Sequence, residues 1–294
     1  MKIRKLIALG LAACMMVGVL AGCGGSSNDA ANDAADAVQD AADDVADAVD
    51  AAGSAVEDAG EALLYEQAAG QTYVVGTDTT FAPFEFEDDN GDFTGIDIRL
   101  LEAIADEMGF TVEWQILGFS ASVAALEAEQ VDAVMAGMSI TDERLVKYDF
   151  SDSYYDANIG VAVAAGSDYT DLESLRGATV VVKNGTTSMQ YAELIAPDYD
   201  MDLLYVDESS VMYQYVESGQ AAACFDDYPI MQYEITRGNI NLEVIAQTEG
   251  DYVYPTALAV LKGNYPELVA AFDEGLARLQ ADGTYDAILA DYFG

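Results

Sequence analysis

Twice along this chain, short apolar runs rich in β-branched residues alternate with segments of helical period, and that alternation leaves few folds open. The first round opens at Tyr73-Val74-Val75-Gly76, a buried strand, with Thr77-Asp78-Thr79-Thr80 as the loop at its carboxyl end. Ile98, Leu101, Ile104 and Met108 mark one helical face closed by Gly109. Thr111 to Ile116 is the next strand, and a helix over about Ser122 to Glu129 leads into a strand from Val131 to Ala136. A second round begins near Gly177 with the strand Ala178 to Val182, the turn Asn184-Gly185-Thr186-Thr187-Ser188 and a helix to about Ile195. Leu203 to Val206, a helix from Ser209, and Ala221 to Phe225 complete it. Two parallel α/β sheets are predicted. Extended stretches near Tyr154 to Val163 and Tyr252 to Ala259 predict that the chain crosses twice between two lobes, with its last helices returning to the first. The expected division is 72–157 with 253–294 for lobe 1 and 158–252 for lobe 2.

Charge and composition then exclude whole classes of function. The formal net charge is -42, so clustered cations for nucleic acid are missing. The chain has no histidine, which removes the commonest general base and the commonest metal ligand, and neither metal nor cofactor is expected. Lys2, Arg4 and Lys5 precede an apolar run from Leu6 to Leu20 that is short for a membrane span. The run ends in Leu20-Ala21-Gly22-Cys23, which resembles the lipobox of bacterial lipoproteins. That resemblance implies a signal peptide over 1–22, a lipid on Cys23, and a body held at the extracytoplasmic face of the cell membrane. Cys14 would leave with the signal, and Cys224 would remain alone as a small buried apolar residue. Residues 23–71 form an Ala/Asp-rich tether in which Val38, Val45, Val49 and Val56 recur at helical or weak coiled-coil spacing. Aspartate is a poor helix former, so a solvated, partly helical spacer under a monomeric body is favoured over an oligomerising coil.

Five stretches in register carry a more specific resemblance. They are Gly76-Thr77-Asp78-Thr79-Thr80-Phe81-Ala82-Pro83-Phe84-Glu85-Phe86, Gly95-Ile96-Asp97-Ile98, Ala136-Gly137-Met138-Ser139-Ile140-Thr141-Asp142-Glu143-Arg144, Asp149-Phe150-Ser151 and Asp282-Gly283-Thr284-Tyr285. Together they resemble the polar amino-acid class of ABC-transporter solute-binding proteins (extracellular solute-binding protein family 3), most closely its glutamine-binding members. Arg99 departs from the pattern, where the family usually carries an acid, but it falls on a helix surface. The resemblance implies an α/β, two-lobed, periplasmic-binding-protein-like fold of type II. It also implies capture of a small polar L-amino acid between the lobes for delivery to an ABC permease.

The chemistry of the matching positions fits a zwitterion, whose two charges both need partners when buried. Arg144 offers a bidentate fork to an α-carboxylate, and the backbone N–H groups of Ser139 and Thr187 complete the anion site. By resemblance, Asp227 takes the α-ammonium with the carbonyl of Gly137 and the hydroxyl of Ser139, while Phe81 and Phe119 enclose the aliphatic part. The resemblance places Asp78 and Lys183 at the far end, an acceptor and a donor that suit a carboxamide. Asp226 stands where glutamine binders carry histidine, and if it points inward a basic amino acid (arginine, lysine or histidine) is the alternative. Plainer roles exist for each: a capped surface helix for Arg144, an N-cap for Asp227, core packing for the two phenylalanines, a turn for Asp78. The acids Glu85, Glu87, Asp88, Asp89 and Asp92 read as a solvated hairpin face. A dehydratase-like enzyme on the same scaffold is the alternative from another class. The pocket acids, already matched to charge partners, argue against it.

Overall fold

The computed structural model describes residues 64–88 and 90–293; the signal segment, Cys23 and most of the tether lie outside the described residues. β1 (Thr72–Thr77) is flanked by parallel β5 (Thr111–Ile116) and parallel β6 (Ala133–Val134). The sheet is completed by β14 (Ala259–Leu261) and β7 (Tyr148–Phe150), in the order β5-β1-β6-β14-β7. Successive strand residues point to opposite faces, so Val75, Ala133 and Val260 join one core while Val134 and Ala259 join another. The first core holds α1 (Ile96–Met108) and the C-terminal helices α7 (Pro266–Asp282) and α8 (Thr284–Phe293). Gly275 sets how closely α1 and α7 approach, because a Cβ there would lie 2.7 Å from Ile104 Cγ2. The second core holds α2 (Phe119–Glu127).

The other sheet runs β10-β9-β11-β8-β12. Its strands are β8 (Tyr155–Ala164), β9 (Thr179–Lys183), β10 (Asp202–Val206), β11 (Ala223–Asp227) and β12 (Leu242–Gln247). β9 is parallel to both β10 and β11, whereas β8 is antiparallel to β11 and β12. Val180, Val182 and Phe225 pack beneath α4 (Thr187–Tyr199); Val181 and Cys224 pack beneath α5 (Ser209–Glu217) and α6 (Tyr228–Arg237). Residues Tyr155 to Asn158 of β8 pair with β13 (Val253–Thr256) before β8 enters its own sheet, so two antiparallel segments carry the chain between the sheets. A small ribbon of β2 (Thr80–Phe81), β3 (Glu85–Glu87) and β4 (Phe93–Thr94) follows β1.

Three local expectations change. The helix expected over Ser122 to Glu129 runs from Phe119 to Glu127, since Gly118 supplies the left-handed turn before it and Glu129, also left-handed, has left it. The run Val131 to Ala136 is buried, but only Ala133 and Val134 pair with neighbouring strands. Glu85, read as solvated, is fully buried. It sits there because Asp97 N–H donates to Phe84 O and the backbone of Gly95 presses on that of Phe84, docking the start of α1 over the start of β3. Glu87 and Asp92 are exposed as read, and Asp89 lies outside the described residues.

Candidate functional site

The carboxyl ends of the parallel strands converge, and they carry the chemistry there. β1 ends one residue before Asp78, β9 ends on Lys183, and β11 ends on Asp226 and Asp227. Phe119 opens α2 and Thr187 opens α4, whose N-cap Thr186 accepts from Met189 N–H at 3.1 Å. Thr141 caps α3 (Asp142–Leu145) by accepting the N–H of Arg144 at 3.2 Å, which sets the base of that long side chain.

One cavity between the two sheets is lined by Phe81, Phe119, Gly137, Ser139, Arg144, Lys183, Thr187, Asp226 and Asp227. Asp78 stands behind it, bonded to Lys183. The ten residues singled out from the sequence for ligand binding therefore lie together, while Cys23 lies outside the described residues. The cavity measures about 20 Å³, room for about one water molecule. The lobes meet across it through Lys183 Nζ to Asp78 Oδ2 at 2.5 Å, Arg144 Nη2 to Gly185 O at 3.0 Å, and Ser120 Oγ to Asn184 O at 3.0 Å. The Ser139 and Thr187 hydroxyls lie 3.4 Å apart. This is a closed arrangement, and an amino acid enters only if these contacts part.

Two cations and three carboxylates make up its electrostatics. Arg144 Nη1 donates to Ser139 O at 2.7 Å, and its guanidinium lies 5.5 Å from the Phe119 ring centroid. Burial pulls this guanidinium below its ordinary value, and the facing Asp227 opposes that pull. Lys183 Nζ sits 5.0 Å over the Phe81 ring, so each aromatic residue backs a cation. Asp78 also accepts from Thr79 N–H at 2.6 Å and Thr80 N–H at 3.2 Å. Burial would raise it, yet Lys183 and those donors win and hold it below the usual carboxylate value.

Asp226 and Asp227 are neighbours whose side chains leave opposite faces of β11. Asp227 shares the Phe225 face under α4 and accepts from Ser188 Oγ at 3.0 Å; burial, then the adjacent Asp226, pushes it up to about 7. It does stand at the N-cap position of α6, but its carboxylate makes no capping bond there. Asp226 shares the Cys224 face under α5, where Oδ2 accepts from Tyr213 Oη at 2.7 Å and Oδ1 from Asp227 N–H at 3.0 Å. Burial raises Asp226, with Lys183 opposing.

A second layer went unread in the sequence. Gly137, at φ 57, leaves no room for a side chain, since a Cβ would lie 2.5 Å from Phe81 Cε1. Its N–H donates to Asp97 Oδ2 at 2.8 Å, a carboxyl that burial raises to about 6. Glu85 neighbours Asp97, and burial together with that acid raises it well above the usual range. Ser188 and Tyr213 were likewise read only as turn and helix residues. A larger cavity of about 720 Å³ opens beside Thr79, Thr80, Tyr213 and Tyr233, with Arg237 the single cation among its lining residues. Its one arginine is set among Glu87, Asp88, Glu217 and Glu234, without the two cations of the small cavity, so size is no guide to the chemistry here.

Two α/β lobes closing on a half-buried arginine and a buried lysine and carboxylate set define a type II binding-protein fold built around a charged small-molecule site. Residues 73–294 match the family described as "Bacterial extracellular solute-binding proteins, family 3", and the chain belongs to that family. It is 31% identical over 232 residues to the lysine/arginine/ornithine-binding periplasmic protein of Escherichia coli (strain K12), covering 77% of this chain and 89% of that one. An ancestral arginine-binding protein is 36% identical, covering 76% of this chain and 98% of its own, with TM-scores of 0.70 in its arginine complex and 0.69 in its glutamine complex. The second substrate-binding domain of Lactococcus lactis GlnP, in the open conformation, is also 36% identical, covers 75% of this chain and 94% of its own, and gives 0.54. The chain is thus an amino-acid solute-binding protein of the ABC-transporter family.

Proposed function

We propose that this chain captures glutamine between its lobes and hands it to an ABC permease, from a position anchored to the extracytoplasmic face of the membrane through lipid on Cys23. The observation that carries the reading is the single cavity shared by Arg144, Asp227 and Lys183, with Asp78 behind it. Arg144 and the Thr187 N–H receive the α-carboxylate, and Asp227 with Ser139 and the Gly137 carbonyl receives the α-ammonium. The side-chain carboxamide then inserts at the Lys183–Asp78 pair, accepting from one and donating to the other. Lys183 repels a cationic side chain, and Asp226 is already tied to the Tyr213 hydroxyl and the Asp227 N–H.

A basic amino acid is the second reading, and two observations favour it. Relatives named above bind lysine, arginine and ornithine, or arginine. Once Arg144 and Asp227 are matched to the α-groups, Asp78 and Asp226 outnumber Lys183 by one charge. A thermal-shift screen of the twenty amino acids separates the readings, because a ligand that binds only the folded form raises the melting temperature. The largest shift is expected with glutamine. A larger one with arginine establishes the second reading, and none with any amino acid removes both.

A further inference from the structure

We propose that Tyr213 sets side-chain specificity: its hydroxyl ties the Asp226 carboxylate back into its own lobe and thereby withholds it from cationic amino acids. This rests on the site being an amino-acid site as read above. Tyr213 touches no ligand group in this account and acts as a positioning residue.

Side chains alternate between the two faces of β11. Asp226 follows Phe225 and precedes Asp227, so it faces α5 while both neighbours face α4. On that face it meets Tyr213, buried beside Met212, Val216 and Cys224. The Tyr213 hydroxyl lies 2.7 Å from Asp226 Oδ2, and Asp227 N–H lies 3.0 Å from Oδ1. Asp226 also lines the closed cavity with Lys183. Its carboxylate therefore stands at the boundary, within reach of the ligand's side-chain end and held from behind.

Charge counting says what release would do. With one negative charge in excess at that end, a guanidinium is the natural partner for a freed Asp226, while a neutral carboxamide gains nothing from it. A buried carboxylate oxygen stripped of its donor seeks another partner, and a cationic side chain supplies one. Tyr213→Phe keeps the ring that fills the space between α5 and β11 and removes only the donor.

The test measures dissociation constants for L-glutamine and L-arginine by isothermal titration, with melting curves to verify folding, in wild type, Tyr213→Phe, Asp226→Asn and the double variant. Tyr213→Phe is expected to move the arginine-to-glutamine affinity ratio about tenfold toward arginine. In the Asp226→Asn background the same substitution is expected to leave the ratio where Asp226→Asn alone puts it. A ratio unmoved by Tyr213→Phe, or moved equally in both backgrounds, overturns the proposal while leaving amino-acid binding intact. Failure of the wild type to bind either ligand overturns the binding-site reading, and this inference with it.

Discussion

Replacing Arg144 with alanine removes the one cation placed to meet an α-carboxylate. The guanidinium donates to Ser139 O at 2.7 Å and to Gly185 O at 3.0 Å, and it lies against Phe119. Those donors lead to neutral carbonyls, and each hydrogen bond contributes only about 1 kcal/mol to the unliganded fold. The variant should therefore fold and melt within a few degrees of wild type. Binding is another matter. A carboxylate closed into this cavity without its partner costs about 3–5 kcal/mol, the penalty for breaking a buried pair, or about 10²- to 10⁴-fold in affinity. The α-carboxylate is common to all amino acids, so the loss should be alike for glutamine and for any weaker ligand. Isothermal titration of the folded variant measures it directly. Retention of affinity within about threefold refutes the assignment of the carboxylate to Arg144, because no single charge-assisted bond is that weak here.

Other sites make separable predictions. Lys183→Leu strips Asp78 of the partner 2.5 Å away and should weaken glutamine at least about tenfold while improving basic amino acids relative to it, read as a ratio of dissociation constants. Equal loss for all ligands refutes its side-chain role. Asp97 titrates at about 6 in the fold against an ordinary 3.8, so the folded form holds its proton more tightly than the unfolded chain. Its contribution to stability is present below the ordinary value and is lost as pH rises through about 6, on the order of 3 kcal/mol. Denaturant unfolding at a series of pH values should show that decline. Asp97→Asn, which keeps an acceptor for Gly137 N–H, should make it shallower without abolishing it, since the raised Glu85, Asp226 and Asp227 contribute in the same direction. Cys23→Ser should move the protein from the membrane fraction to the soluble one and abolish incorporation of labelled fatty acid.

The sequence made the alternation of elements and the converging charges readable because both follow from local patterns: period-two and helical runs, and side chains placed at strand ends. Glu85 was not readable. It differs from Glu87 by no local signal, and its burial depends on α1 docking its Asp97 against the same ribbon. Nor was the Ser188–Asp227 bond, which needs α4 and β11 in their final packing. The direction of Asp226 is a different case. Phe225-Asp226-Asp227 in a strand already sends the two acids to opposite faces, but choosing which face looks at Tyr213 required the helices to be in place. The strand expected over Val131 to Ala136 is shorter because burial and ladder pairing are separate properties: all of the run but Asp132 is apolar and buried, and only two residues find neighbours on both sides.

On the proposed reading, both poles of a zwitterion are neutralised inside the closing cleft, one by Arg144 and the other by Asp227. Titration of the purified chain with L-glutamine, with glutamine α-amide and with N-acetyl-glutamine tests this most directly, since each analogue deletes one pole and keeps the side chain. Glutamine should bind at micromolar concentration or tighter, about 8 kcal/mol, and each analogue at least about a hundredfold more weakly. Either analogue binding as tightly as glutamine would contradict it.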